Sequence, residues 1–262
     1  MIEITSSSND RVRRVQALQR RTRRRMREGL MVVEGLRLVS ERVASDFPVI
    51  ELFLTRELIQ DKQVQGLVER ACDSGRCALV PEDLMQAMSD TMTPQGILAV
   101  TSIPNLQSEP GATLTLVLDR VRDPGNVGTM LRTAWAAGVD QVLIPPGTVD
   151  PTNPKVVRAG MGAHFHVPCQ KMDWSSVWCR IERDQILLAE AGQGLDYDRV
   201  NWRKPTTLII GGEAFGAGPE TRAKAQCVRI PMATGVESLN AAIAGAIMLF
   251  EAAKQRGIGR SS

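Results

Sequence analysis

Five short apolar runs recur down the second half of the chain: Leu114 to Leu118, Gln141 to Ile144, Ile186 to Ala189, Thr207 to Ile210 and Val228 to Ile230. Helical stretches or loops rich in glycine and proline separate them. Strands that are covered on both faces by crossover helices read as such unbroken apolar runs. The alternation therefore predicts a mostly parallel α/β sheet, whose ligand site belongs in the loops that follow its strands.

The first half reads as a smaller α/β domain. Ser8 and Asn9 offer caps to an amphipathic helix carrying Val12, Val15 and Leu18, and Leu30 to Val33 is a strand. Gly35 to Val43 is a helix. Pro48 introduces the run Val49 to Leu54, and a helix with Leu58, Val64, Leu67 and Val68 follows. Cys77 to Val80 is a short strand, Leu84, Met85 and Met88 mark a helical turn, and Gly96 to Val100 closes the domain. The segment PNLQSEPG is the best linker, which predicts domains at 1–103 and 113–262 with a linker at 104–112.

No stretch approaches the ~18 consecutive apolar residues of a spanning helix, and Glu3 and Asp10 replace a signal-peptide core, so the cytoplasm is the expected location. Five cysteines without a CxxC pair suggest reduced thiols packed as small hydrophobes, and no zinc site. His164 and His166 would share one face of a strand, yet no third ligand accompanies them, so no metal is expected. Trp135, Trp174, Trp178 and Trp202 read as packing residues. The net charge of +3 is too small to indicate a nucleic-acid partner by itself. Its distribution is more telling, because nine arginines fall between Arg11 and Arg27 and leave the rest of the chain near neutral or acidic. Such clustered like charge favours RNA contact, through Arg11, Arg20, Arg21, Arg23 and Arg24, over a merely solvated face.

Three loops carry the chemistry: LDRVRDPGNVGTMLRTA from Leu118, IIGGEAFGAGPE from Ile209, and IPMATGVESLNAA from Ile230. None has the GxxxxGK[ST] of a phosphate-gripping loop, and none gives GxGxxG directly after a strand. Their glycines let main-chain groups approach a flat polar ligand, for which an adenosine-containing molecule is suitable.

Taken together, DPGNVGTMLRTA, GGEAFG and IPMATGVESLNAA resemble the three signature motifs of the SpoU/TrmH RNA 2′-O-ribose methyltransferases of the SPOUT superfamily, over roughly Leu114 to Lys254. The segment VVEGLRLVSE resembles that family's accessory, L30e-like substrate-binding domain. The resemblance implies an α/β catalytic domain with a parallel sheet and a deep trefoil knot. It also implies S-adenosylmethionine as cofactor, structured RNA as substrate (ribosomal before transfer RNA), and a homodimer built on the first and last catalytic helices. The Ala/Gly-rich helix read from Ser238 to Lys254 suits that last role.

Position by position, Asn126 and Arg132 correspond to the asparagine and catalytic arginine of motif one, Glu213 to the glutamate of motif two, and Ser238 and Asn240 to the serine and asparagine of motif three. Asn126, Ser238 and Asn240 can equally be helix caps, and Glu213 is expected to meet Arg132 or a neighbouring amide. Gly211, Ile230 and Leu239 correspond to cofactor-binding positions, with Gly212, Pro231 and Met232 shaping the same pocket. Two rival readings remain: an RNA-binding or ribosome-assembly protein without turnover, and a dinucleotide-dependent enzyme, against which the absent fingerprint speaks.

Overall fold

The computed structural model describes residues 1–45, 49–71, 76–109, 111–181, 185–213 and 216–258; Pro48, Cys72, Pro110, Ala214 and Phe215, used in the reading above, lie outside them. The chain divides into two units, Met1–Pro104 with Thr152–Phe165, and Asn105–Pro151 with His166–Ser262.

The first unit runs β1 (Ile2–Glu3), α1 (Asp10–Arg20), α2 (Thr22–Glu28), β2 (Leu30–Glu34), α3 (Leu36–Ala44), β3 (Val49–Leu54), α4 (Lys62–Ala71), β4 (Cys77–Leu79), α5 (Glu82–Met88) and β5 (Ile97–Ser102). Its sheet has the order β1-β4-β3-β5-β2, parallel from β1 to β3 and antiparallel where β5 joins β3 and β2. Successive side chains on a strand point to opposite faces. Accordingly Leu30, Val32, Leu98 and Val100 pack with α1 and α5, whereas Met31, Val33, Ile97 and Ala99 pack with α3 and α4. Each buried aliphatic side chain of this kind stabilises the fold by about 1.5–3 kcal/mol. The Asn9 cap, which accepts the Arg11 N–H at 2.9 Å, contributes about 1 kcal/mol, so packing dominates.

In the second unit, β6 (Leu114–Asp119), α6 (Pro124–Ala136) and β7 (Gln141–Ile144) come first. The chain then supplies α7 (Pro154–Gly160) to the first unit, where Val157 and Phe165 join the core beneath α3 and α4. Returning, it forms β8 (Cys169–Lys171), α8 (Trp174–Arg180), β9 (Gln185–Ala189), β10 (Leu195–Asp196), β11 (Thr206–Gly211), α9 (Pro219–Lys224), β12 (Gln226–Arg229) and α10 (Ala241–Arg256). All seven strands are parallel, in the order β10-β12-β9-β11-β6-β7-β8. Helix α10 lies close to β11 and α6, because Gly245 leaves only ordinary van der Waals room for Ile210 and Met130.

Two expectations need correction. The last helix starts at Ala241, since Asn240 caps it by accepting the N–H groups of Ala242 at 2.9 Å and Ile243 at 3.2 Å; Ser238 stands in the irregular segment before it. Among the cysteines, Cys169, Cys179 and Cys227 are free, but Cys77 is disulfide-bonded, a pairing that the absence of a CxxC motif did not reveal. Burial pushes the Cys169 thiol up to about 12, so it stays protonated near neutral pH.

Candidate active site

The three motif loops follow β6, β11 and β12 and meet at the carboxyl ends of those strands. Asp123 caps α6 by accepting the Asn126 N–H at 2.8 Å, with Pro124 in the first turn, so Asn126 is not itself the cap. Its side chain is instead free to bridge. The Asn126 amide N–H donates to the Glu213 carboxylate, and its Oδ1 accepts from Asn240 Nδ2 at 3.0 Å. A carboxylate can only accept, which fixes the Asn126 amide; that amide fixes Asn240, whose own oxygen is then the helix cap. The result is a one-directional relay through all three motifs.

Beside the relay opens a cleft of about 480 Å³, within the range of small-ligand sites. Gly211, Gly212, Glu213, Ile230, Met232, Ser238, Leu239 and Asn240 all line it, whereas Pro231 is exposed and does not. The two glycines have a steric reason. A Cβ on Gly211 would lie 2.4 Å from the Ala217 nitrogen, and one on Gly212 would lie 2.1 Å from the Arg120 carbonyl oxygen. Two backbone segments therefore meet here at a distance no side chain permits. Main-chain groups around Gly211 and Ile230, apolar walls from Ile210, Leu239 and Met248, and few charges fit an adenosine-type ligand.

Arg132 is exposed and makes no hydrogen bond or ion pair with a described residue. Six residues turn an α-helix by roughly 600°, which carries it well away from the face that presents Asn126. Glu213 consequently meets Asn126 and not Arg132.

Sequence reasoning missed Asp119, at the end of β6. Its side chain is almost fully buried and accepts the Gly218 N–H at 2.7 Å and the Thr221 hydroxyl at 3.0 Å, which anchors the loop after β11. The adjacent Arg120 holds φ +60 and donates Nη2–H to the Gly216 carbonyl at 3.0 Å. A charged residue ending a strand at the ligand-bearing edge was the available signal. It was equally available for Glu190, which follows β9.

The basic segment divides in two. Arg13, Arg20, Arg21, Arg23 and Arg27 are exposed and have no partner among the described residues. Arg11 pairs with Glu51 at 3.1 Å, Arg14 and Arg24 both pair with Glu28, and Arg25 is 2% exposed, donating to Thr152 Oγ1 at 3.0 Å and the Leu18 carbonyl at 2.8 Å. His166 stacks on Trp135 with ring centroids 4.0 Å apart, and Trp202 is fully buried with its indole N–H on the Tyr197 carbonyl at 2.8 Å. Among the described residues no group of three or more His, Cys, Asp or Glu could hold a metal ion, and no helix is long and apolar enough to cross a membrane.

The profile described as SpoU rRNA Methylase family matches residues 113–250, more than half of the chain. The chain belongs to the SpoU rRNA methylase family. Residues 9–99 match a second profile, an MRM3-like substrate binding domain. This SpoU methylase is 30% identical over 253 residues to the 23S rRNA (guanosine(2553)-2′-O)-methyltransferase RlmP of Bacillus subtilis, covering 95% of this chain and 98% of the relative. An AdoMet-bound rRNA methyltransferase from Sinorhizobium meliloti matches 96% of the chain and 97% of its own at 30% identity and a TM-score of 0.83. The SpoU methyltransferase AviRb of Streptomyces viridochromogenes, in complex with AdoMet, gives a TM-score of 0.84 at 29% identity, over 96% of this chain and 100% of its own.

Proposed function

We propose that this protein transfers the methyl group of S-adenosylmethionine to a ribose 2′-hydroxyl of ribosomal RNA. The single observation that carries the proposal is the Glu213–Asn126–Asn240 relay beside a glycine-floored cleft. The relatives named above are rRNA 2′-O-methyltransferases or are described with AdoMet bound, which supports the same reading. When bound, the sulfonium donor supplies an electrophilic methyl carbon.

The residues of the chain position the reactants. Gly211, Gly212 and Ile230 would hold the donor through main-chain groups, with Leu239 and Met232 supplying apolar walls. Glu213, Asn126 and Asn240 keep the loops in one arrangement, and Ser238 stands at the same rim. A ribose hydroxyl is a weak nucleophile that must lose its proton as the new bond forms. Arg132 takes part by contacting that hydroxyl and the adjacent phosphate; a guanidinium holds its own proton too tightly to act as a simple base, so the hydroxyl proton passes to water. Replacing Arg132 by lysine keeps the charge and loses the planar fork, so single-turnover methylation should fall about tenfold. An unchanged rate would remove Arg132 from the reaction.

A homodimer completes this proposal. Ile243 and Phe250 on α10 are 51% and 52% exposed, and Trp135 on α6 is 39% exposed three residues from Arg132. These apolar side chains support pairing through α6 and α10, and the pairing brings Arg132 to the cleft of the second copy. Around the same loops, a trefoil knot is supported by the central place of β11 and by the contacts of Gly212, Gly216 and Gly218 with Asp119 and Arg120. Velocity sedimentation tests the dimer. Mapping 2′-O-methylation in rRNA from cells with and without the protein tests the activity; identical maps would overturn it.

RNA capture rests on the exposed arginines. Each phosphate neutralised adds roughly 0.7–0.9 to the slope of log affinity against log salt. Changing Arg20, Arg21 and Arg23 together to glutamine should weaken RNA binding and flatten that slope by about 2–3. Arg24→Gln, which loses an internal ion pair, should leave the slope nearly intact. Equal effects from both changes would argue against this surface.

A further inference from the structure

Besides the relay, the cleft is lined by a pair of oppositely charged residues. Glu190, the first residue after β9, and Arg222, on α9, both line the cleft and form an ion pair with Nη1 and Oε1 3.1 Å apart. Arg222 Nε–H also donates to the Ala217 carbonyl at 3.3 Å, and its Nη2 lies 2.7 Å from the place a Gly216 side chain would occupy. The guanidinium is thereby held over the Gly216 turn in one orientation. Neither Glu190 Oε2 nor Arg222 Nη2 has a hydrogen-bond partner among the described residues, so an acceptor and a donor stand side by side facing the cleft.

Stability does not explain the pair. With side chains 41% and 19% exposed, it is of the kind that contributes little to folding. In the cleft it also carries a liability, because a neutral ligand covering two charges strips their water and returns nothing. A zwitterion reverses that balance by offering an anion to the guanidinium and a cation to the carboxylate. Among the described residues lining the cleft, Arg222 is the one cation, and Glu213, the other carboxylate, is already committed to Asn126.

We infer that Glu190 and Arg222 read the amino-acid end of the sulfonium donor, Glu190 receiving its α-ammonium and Arg222 its α-carboxylate. The inference rests on the cofactor assignment made above and adds to it the residues that select the amino-acid portion. Adenine and ribose are left to the main-chain groups and apolar walls of the cleft.

The test uses two neutral thioethers that share adenosine and differ in the amino-acid portion, S-adenosylhomocysteine and 5′-methylthioadenosine, titrated calorimetrically into the full chain. Glu190→Gln and Arg222→Gln should each weaken S-adenosylhomocysteine roughly ten- to hundredfold, the loss of one charge-assisted contact, and leave methylthioadenosine unchanged. Arg222→Lys should recover part of the loss. Should Arg222→Gln fail to fold, Glu190→Gln, which keeps size and shape, carries the test alone. Equal weakening of both ligands would place the pair at the adenosine end, and unaltered S-adenosylhomocysteine binding would remove it from recognition; either result overturns the inference while the cofactor assignment stands. A wild-type protein that binds neither ligand would overturn both.

Discussion

Asn126→Ala is expected to slow single-turnover methylation about a hundredfold or more, because displacing reacting groups by an ångström costs that much. Asn126 is the side chain through which Glu213 and Asn240 are connected, donating to one and accepting from the other. Its loss frees the loop after β11 from the first turn of α6, while the main-chain groups that hold the donor stay in place. Affinity for S-adenosylhomocysteine should therefore change only a few-fold. The isosteric Asn126→Asp is the sharper probe. Shape alone would let it substitute, but it sets one carboxylate against another, and like charges in contact raise one of the two carboxyl pKa values. At neutral pH the aspartate variant should be at least as slow as the alanine variant. As pH falls, one carboxyl takes up a proton and can donate again, so its relative rate should rise where the wild-type rate does not. An alanine variant at the wild-type rate would show that the relay organises nothing the reaction uses.

Much of this architecture is legible in the sequence, for reasons that differ along the chain. The strands of the second unit announce themselves because crossover helices cover both faces, which forces unbroken apolar runs from Leu114 and from Thr207. In the first unit, α1 is equally plain, since Val12, Val15 and Leu18 are buried at helical spacing. Helix α2 is not. Its seven residues TRRRMRE carry no apolar period, and the break before it, at Arg21 with φ −124 and ψ 106, leaves no mark in composition. Long-range packing is similarly silent: nothing local says that Thr152–Phe165 joins the first unit, an arrangement held by Val157 and Phe165 in its core and by the buried Arg25 reaching Thr152.

The site shows the same division. Motif spacing brings Asn126, Glu213 and Asn240 to attention, but which polar atom meets which depends on where each helix starts. Asp123 takes the cap of α6 and so frees Asn126 to bridge; Asn240 takes the cap of α10 and still keeps a donor for Asn126. The arginine run misleads in the opposite direction. Charge density suggests nine equivalent phosphate ligands, yet Glu28 and Glu51 lie within reach of three of them and Arg25 is sealed in the core. Only the fold can tell a solvated cation from a paired one.

Gly212→Ala is expected to destabilise the second unit by about 3 kcal/mol or more, because overpacking against backbone cannot be relieved by a rotamer change. The added methyl would lie 2.1 Å from the Arg120 carbonyl oxygen and 2.9 Å from its carbon. Arg120 cannot easily retreat. It already holds a left-handed backbone at φ +60, Asp119 before it bonds to Gly218 and Thr221, and its own guanidinium bonds to the Gly216 carbonyl. The loop must therefore give way, and with it the cleft floor, so S-adenosylhomocysteine binding should weaken together with stability. For a unit of this size the loss corresponds to roughly 6–12 °C in Tm, readable by calorimetry. Gly66→Ala supplies the contrast: that glycine sits inside α4 with nothing within 4 Å of an added Cβ, so the same substitution should stabilise by about 0.5–1 kcal/mol. If Gly212→Ala left both melting and binding untouched, the loop after β11 would not lie against the Arg120 carbonyl, and the close backbone contact that shapes the cleft would be lost.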